Sequence, residues 1–193
     1  MDLLATYRRS LGEFTDRVGQ VSPDQWTAPT PCADWDVRTL VNHVVGEDLW
    51  TVPMFAGATI DEVGDRFDGD LLGADPAVAA RAAATRADLA VSEPGALGRT
   101  VHLSAGDTPA PEYVHQLLAE HLVHGWDLAV AIGADPLLDA DAVRECLRWF
   151  TDRVPLYRDN DLIGSRVDLP ADAGQQDRLI AGFGRDPNWS PGR

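Results

Sequence analysis

The chain has 193 residues and a formal charge of −15, from 31 acidic residues against 16 basic ones, and every basic residue is arginine. The absence of lysine excludes Schiff-base chemistry, the phosphate-loop lysine and amine nucleophiles, and with them pyridoxal enzymes, class I aldolases and P-loop NTPases. Acidity on this scale also argues against nucleic acid and anionic membrane surfaces as partners, because both require clustered cations. Length fits one domain with a short appendage, and 45% hydrophobic content can fill a core. Cys32 and Cys146 are the two cysteines, too few for a disulfide framework or a cysteine-based zinc site. Met1 to Arg9 has no apolar run of the signal-peptide kind, and no stretch approaches the ~18 apolar residues of a membrane helix. A cytoplasmic protein is expected.

Taken in chain order, Leu3, Leu4, Tyr7, Leu11, Phe14, Val18 and Val21 recur at three- and four-residue steps and predict an amphipathic helix from Leu3 to Val21. Pro23, Pro29 and Pro31 make the stretch from Ser22 to Asp34 a structured connection. Asp36 is the expected N-cap of a second helix from Val37 to near Pro53. The acid-rich segment from Gly57 to Asp75 lacks the ligand spacing of a calcium loop and reads as solvated. A third helix is expected from Asp75-Pro76 to about Ser92, with proline at its first position. A short strand follows at Arg99 to Ser104, before a turn at Gly106-Asp107. A fourth helix runs from near Pro109 or Pro111 to Ile132, stopped by Gly133, and a fifth from about Asp139 to Val154. Beyond Pro155 the periodicity weakens, leaving an irregular wrap with one short helix near Gln175 to Ile180. The expected architecture is a mostly helical bundle with a carboxy-terminal extension.

Three of the five histidines, His115, His121 and His124, fall on the fourth helix. At about 100° per residue, Glu120 lies about 40° from His124, whereas His121 turns about 60° the other way and His115 faces the opposite side. Leu117, Leu128 and Ala131 share the stripe of His124, where a carboxylate without a partner is costly. On the second helix His43 sits among core-type residues, with Glu47 four positions on. If the two helices face each other, His43, Glu120 and His124 can converge on one metal ion. Two imidazoles and a carboxylate form a familiar open first shell for zinc or a similar ion. Asp127 could orient His124, and Glu47 could orient His43. Taken singly, each histidine also fits an ordinary core position, and His115 and His121 read as surface or structural. Cys32 reads as a packing residue.

The pattern Trp26-x-x-Pro29-Thr30-Pro31-Cys32-x-x-Trp35-Asp36-Val37-Arg38-x-Leu40-x-x-His43, joined to Glu120-His121-Leu122-Val123-His124-Gly125-Trp126-Asp127-Leu128, resembles the mycothiol-dependent maleylpyruvate isomerase-like family. That family belongs to the DinB/YfiT-like superfamily of metal-binding proteins. The closing Gly184-Arg185-Asp186-Pro187-Asn188-Trp189 is similar to the end of a short branch of it. The resemblance implies an all-α, DinB-like four-helix bundle over residues 1–155, with a short strand or hairpin segment. It also implies an irregular extension, 156–193, packed on the bundle rather than forming a domain. One divalent metal, zinc or nickel, is implied at His43, Glu120 and His124. In the isomerases the metal is thought to activate the thiol of mycothiol, and a coordinated thiol loses its proton. Those isomerases carry a further carboxy-terminal domain for which 193 residues leave no room, so isomerisation of maleylpyruvate itself does not transfer.

Lacking lysine, the chain can bind carboxylates or a thiol cofactor only through arginine, and Arg38, Arg99 and Arg166 are the candidates. The leading reading is a metal-dependent thiol transferase or isomerase acting on a small electrophile. A non-enzymatic metal-binding bundle, structural or sensory, is the rival. It calls for a fourth protein ligand, for which His121 and Glu47 are the first to examine. Metal-assisted hydrolysis is a third reading, with Glu47 or Asp127 as catalytic base. A homodimer formed through helix faces is left open.

Overall fold

The computed structural model describes residues 2–159 and 163–191. Helix α1, Leu3–Val18, begins where the Asp2 carboxylate accepts the Leu4 amide at 3.1 Å. It stops short of Val21, because Gly19 caps it and the chain turns toward the prolines. Helix α2, Val37–Phe55, is capped by Asp36, whose side chain accepts the Thr39 amide at 2.8 Å. Pro53 lies inside its last turn rather than ending it. One missing amide bond is tolerated there because Met54 and Phe55, both buried, hold the turn in the core.

The acid-rich segment is more ordered than a solvated loop. A short helix α3, Ile60–Val63, is fixed by a capping box of Thr59 and Glu62. Farther on, the segment is clamped to α2: Asn42 donates to the Gly69 carbonyl at 3.0 Å and accepts from the Leu71 amide at 2.8 Å. Leu72 is buried between them and the core. Helix α4, Pro76–Val91, has Asp75 as cap and proline in its first turn. The expected single strand is one arm of an antiparallel hairpin, β1 Thr100–Leu103 and β2 Gly106–Pro109, with Val101 opposite Thr108. Gly106-Asp107 therefore belongs to the second arm, and the turn lies at Ser104-Ala105.

Helix α5, Ala110–Ile132, ends at Gly133, whose φ of 71° is the left-handed cap that glycine adopts without strain. Helix α6, Ala140–Thr151, is followed by a separate short helix α7, Val154–Asp159, since Pro155 fits a first turn and restarts the helix. Helix α8, Gln175–Gly182, comes last.

Helices α1, α2, α4 and α5 form an all-α, DinB-like four-helix bundle, with α2 against α4, α1 against α5, and α2 against α5. Helix α6 packs on α5 and α8 on α6, and Leu179 and Ile180 of α8 are fully buried in a cluster with Leu118, Leu122 and Trp126 of α5. After α8 the chain reverses at Gly184, φ 85°, where it crosses Gly164 so closely that a Cβ on Gly184 would lie 2.6 Å from the Gly164 Cα. Among the described residues no helix is long and apolar enough to cross a membrane.

Candidate metal centre

The α2–α5 interface brings His43, Glu120 and His124 together. Glu120 Oε2 lies 3.1 Å from His43 Nε2 and 3.1 Å from His124 Nε2. The three donor atoms fall within 4.8 Å of one another. A tetrahedral zinc ion with bonds of about 2.0–2.1 Å separates its ligands by roughly 3.3 Å. The donors are thus spaced and chemically suited for a divalent ion, two nitrogens and one oxygen. The side chains of His43 and Glu120 are 31% and 35% exposed, so one side of the trio is reachable from solvent, while His124 is 8% exposed.

The carboxylate and imidazoles of the trio hold one another's charge, so a metal ion would take the place of the proton on His124. Partial burial opposes ionisation of Glu120, but hydrogen bonds and charge from His124 and His43 outweigh it and hold its carboxyl well below the usual range. Burial likewise opposes the imidazolium of His124. Its hydrogen bonds with Asp127, Cys32 and Glu120 prevail and raise its pKa well above the ordinary value. On the same side of α2, desolvation and the neighbouring Glu120 charge push Glu47 up to about 7. Glu47 belongs to this charge cluster, whereas the hydrogen bond of His43 goes to Glu120.

Behind the trio lies a brace. Asp127, fully buried, meets His124 Nδ1 at 3.1 Å and so turns Nε2 toward His43 and Glu120. The same Asp127 oxygen accepts from Arg185 Nη2 at 3.2 Å and from the Cys32 thiol at 3.4 Å, while Arg185 also donates to Cys32 Sγ at 3.1 Å. Cys32, His124 and Asp127 form a second group with metal-ligand spacing. The Arg185 guanidinium already neutralises that carboxylate, so this group is a hydrogen-bonded support, not a second cation site.

A tight loop carries Cys32 and Trp35 into place. Pro29 bridges to Asp36, and Thr30 Oγ1 donates to the Trp35 carbonyl at 2.8 Å. The Trp35 ring then lies 4.8 Å from the His43 ring and 5.7 Å from that of His124, forming an apolar wall. None of the three candidate arginines has a hydrogen bond to the trio among the described residues. Arg38 holds Asp70 at 2.9 Å and the Gly73 carbonyl; Arg99 holds the Phe55 carbonyl at 2.8 Å and Glu93. Arg166 lines a cavity beside α6 and α8. His121 points into the core, where its Nε2 lies 3.0 Å from Asp48 Oδ1, and His115 meets Glu145 and stacks on Trp149.

Sequence reasoning missed Cys32, Trp35 and Arg185 as neighbours of the trio. The signal was present: the first two lie in the Trp26-to-His43 pattern and the third in the closing Gly184-to-Trp189 pattern.

Residues 7–129 match the family described as the mycothiol maleylpyruvate isomerase N-terminal domain, a span holding all of the trio. The chain belongs to that family. It is also similar to an uncharacterised protein of Mycobacterium tuberculosis, found in strains CDC 1551 / Oshkosh and ATCC 25618 / H37Rv. That similarity is 32% identity over 147 residues, covering 76% of each chain. No solved structure matches.

Proposed function

We propose that this family member binds one divalent metal, zinc or nickel, through His43, Glu120 and His124, and uses it in a transferase or isomerase reaction between a small thiol of the mycothiol type and a small electrophile. The observation that carries the reading is the convergence of two imidazole nitrogens and one carboxylate oxygen at 3.1 Å spacing on a face open to solvent. A bound ion would supply the Lewis acidity that converts a coordinated thiol to thiolate near neutral pH. The chain's own residues do the rest. Asp127 fixes the His124 tautomer and ring orientation, Trp35 excludes water from one side, and Glu47, a desolvated carboxyl beside the trio's charges, can accept or return a proton. The position of that carboxyl among the trio's charges supports metal-assisted hydrolysis, with Glu47 as base, as a second reading.

Two observations weigh against a purely structural ion. His121 is committed to Asp48, and the trio keeps solvent access where a structural site would be closed. Residues 156–193 act on this reading as part of the same unit, since Arg185 supports the ligand His124 through Asp127. A thiol reaction places the protein in the cytoplasm, where thiols stay reduced.

Elemental analysis tests the metal part: the parent should carry roughly one equivalent of divalent metal and His124→Ala should lose it. Equal metal content in both, or none in the parent, overturns it. Calorimetry of the metal-loaded parent with mycothiol tests the thiol part. Metal without any heat or consumption of mycothiol removes that part and leaves the hydrolytic reading.

A further inference from the structure

Away from the trio, a cavity of about 480 Å3 opens between α6, α7, α8 and the chain from Arg166 to Ala171. Its size lies within the range of about 300–1,000 Å3 typical of small-molecule sites. Leu147, Phe150 and Leu169 give it an apolar floor, and Arg158, Arg166 and Arg178 supply its polar wall. No residue of the metal trio or its brace contributes to it.

These arginines differ from most of the described arginines, and unlike Arg66, Arg81 and Arg86, which also lack a carboxylate, they share one cavity. Arg8, Arg38, Arg99, Arg153 and Arg185 each lie against a carboxylate. Arg158, Arg166 and Arg178 have none among the described residues. Arg178 donates to the Ala171 carbonyl at 3.0 Å, and Arg158 makes one long contact, 3.4 Å, with the Gly182 carbonyl. The Arg158 Nε is buried without an acceptor, an arrangement that leaves a desolvated donor unpaid for. In a protein of net charge −15, long-range attraction for anions is absent, so three uncompensated guanidiniums on one apolar cavity mark a local exception. Guanidinium forks match carboxylates in geometry, and the floor matches an aryl or alkyl body.

We propose that this cavity binds a small monocarboxylate carrying an apolar aryl or alkyl group, held by Arg158, Arg166 and Arg178 over Leu147 and Phe150. The inference stands apart from the metal reading and does not need it.

The probe is 4-phenylbutyrate, titrated calorimetrically into the full chain, with neutral 4-phenylbutan-1-ol as comparator. One equivalent of the carboxylate should bind, at least about tenfold more tightly than the alcohol, a gap of 1.4 kcal/mol. Arg166→Gln and Arg178→Gln should each weaken it about tenfold, and Arg86→Gln, on the exposed face of α4, should leave it unchanged. Arg166 has no partner to lose among the described residues, so the thermal midpoint of its variant should match the parent and exclude misfolding. Equal affinity for acid and alcohol overturns the proposal, as does undiminished binding in both arginine variants or no binding at millimolar carboxylate.

Discussion

Helix α5 carries two histidine–carboxylate couples three residues apart, and they have opposite characters. His121 meets Asp48 at 3.0 Å in a sealed pocket where both side chains are at most 2% exposed, with the rings of Tyr7 and Phe14 edge-on to the imidazole. His124 meets Glu120 at 3.1 Å, but that carboxylate is a third exposed and shared with a second imidazole. The distances are nearly the same. What separates a core contact from a candidate ligand set is the convergence of a third donor and a path to solvent. A third couple, His115–Glu145 at 3.0 Å, lies between these extremes: its side chains are 17% and 7% exposed, the imidazole stacks on Trp149, and no further imidazole joins it among the described residues.

The comparison can be broken by substitution. Glu120→Ala should cause the largest change, lowering zinc affinity on the order of a thousandfold, about 4 kcal/mol, because two imidazoles remain without their anion. Competition with a chelator of known affinity measures it, and a loss under tenfold would place the ion elsewhere. Asp48→Ala should do the reverse: about 3 kcal/mol off the unfolding free energy in urea, with metal content unchanged, since it strands a buried imidazole. If Asp48→Ala loses metal while keeping its stability, the two couples are not distinct. Asp127→Asn should weaken metal binding about 10- to 100-fold by releasing the His124 ring, with ligand count intact.

Glu145→Gln should have the smallest effect, about 1 kcal/mol. Burial opposes ionisation of Glu145, but the His115 hydrogen bond and the Arg148 charge prevail and lower its pKa. A carboxylate whose pKa is lower folded than unfolded adds stability that is complete above the unfolded value and is lost as pH falls through the folded one. The parent should therefore lose stability more steeply than Glu145→Gln below about pH 4.5. Parallel acid-unfolding curves would show that this couple contributes nothing through its charge.

Much of this arrangement is legible in the sequence because it is periodic. The 3.6-residue repeat puts Glu120 and His124 on one face of α5 and His121 on another, and the structure has them so. Helix starts were legible through Asp36, Asp75 and Asp139, each of which accepts a first-turn amide. What periodicity cannot carry is a contact between distant irregular segments. Cys32 and Arg185 lie 153 residues apart and meet at 3.1 Å through two non-helical stretches. Segment 57–75 reads as solvated from its charge, yet Asn42 draws Gly69 and Leu71 onto α2 by hydrogen bonds that composition does not encode. The hairpin turn was displaced by two residues because Gly106 suits a turn and an edge strand alike.

The crossing of Gly184 and Gly164 ties the fate of the trio to a position that touches none of its members. Arg185 reaches Asp127 only because the preceding residue lets two backbones meet without a side chain between them. An alanine at 184 would need about 1 Å more separation to reach van der Waals contact, and the natural relief is to lift the tail, withdrawing the guanidinium from the aspartate. The far end of the chain thus works as a set-screw: its seating depth determines how firmly one imidazole is aimed, and a change of a single methyl group would loosen it.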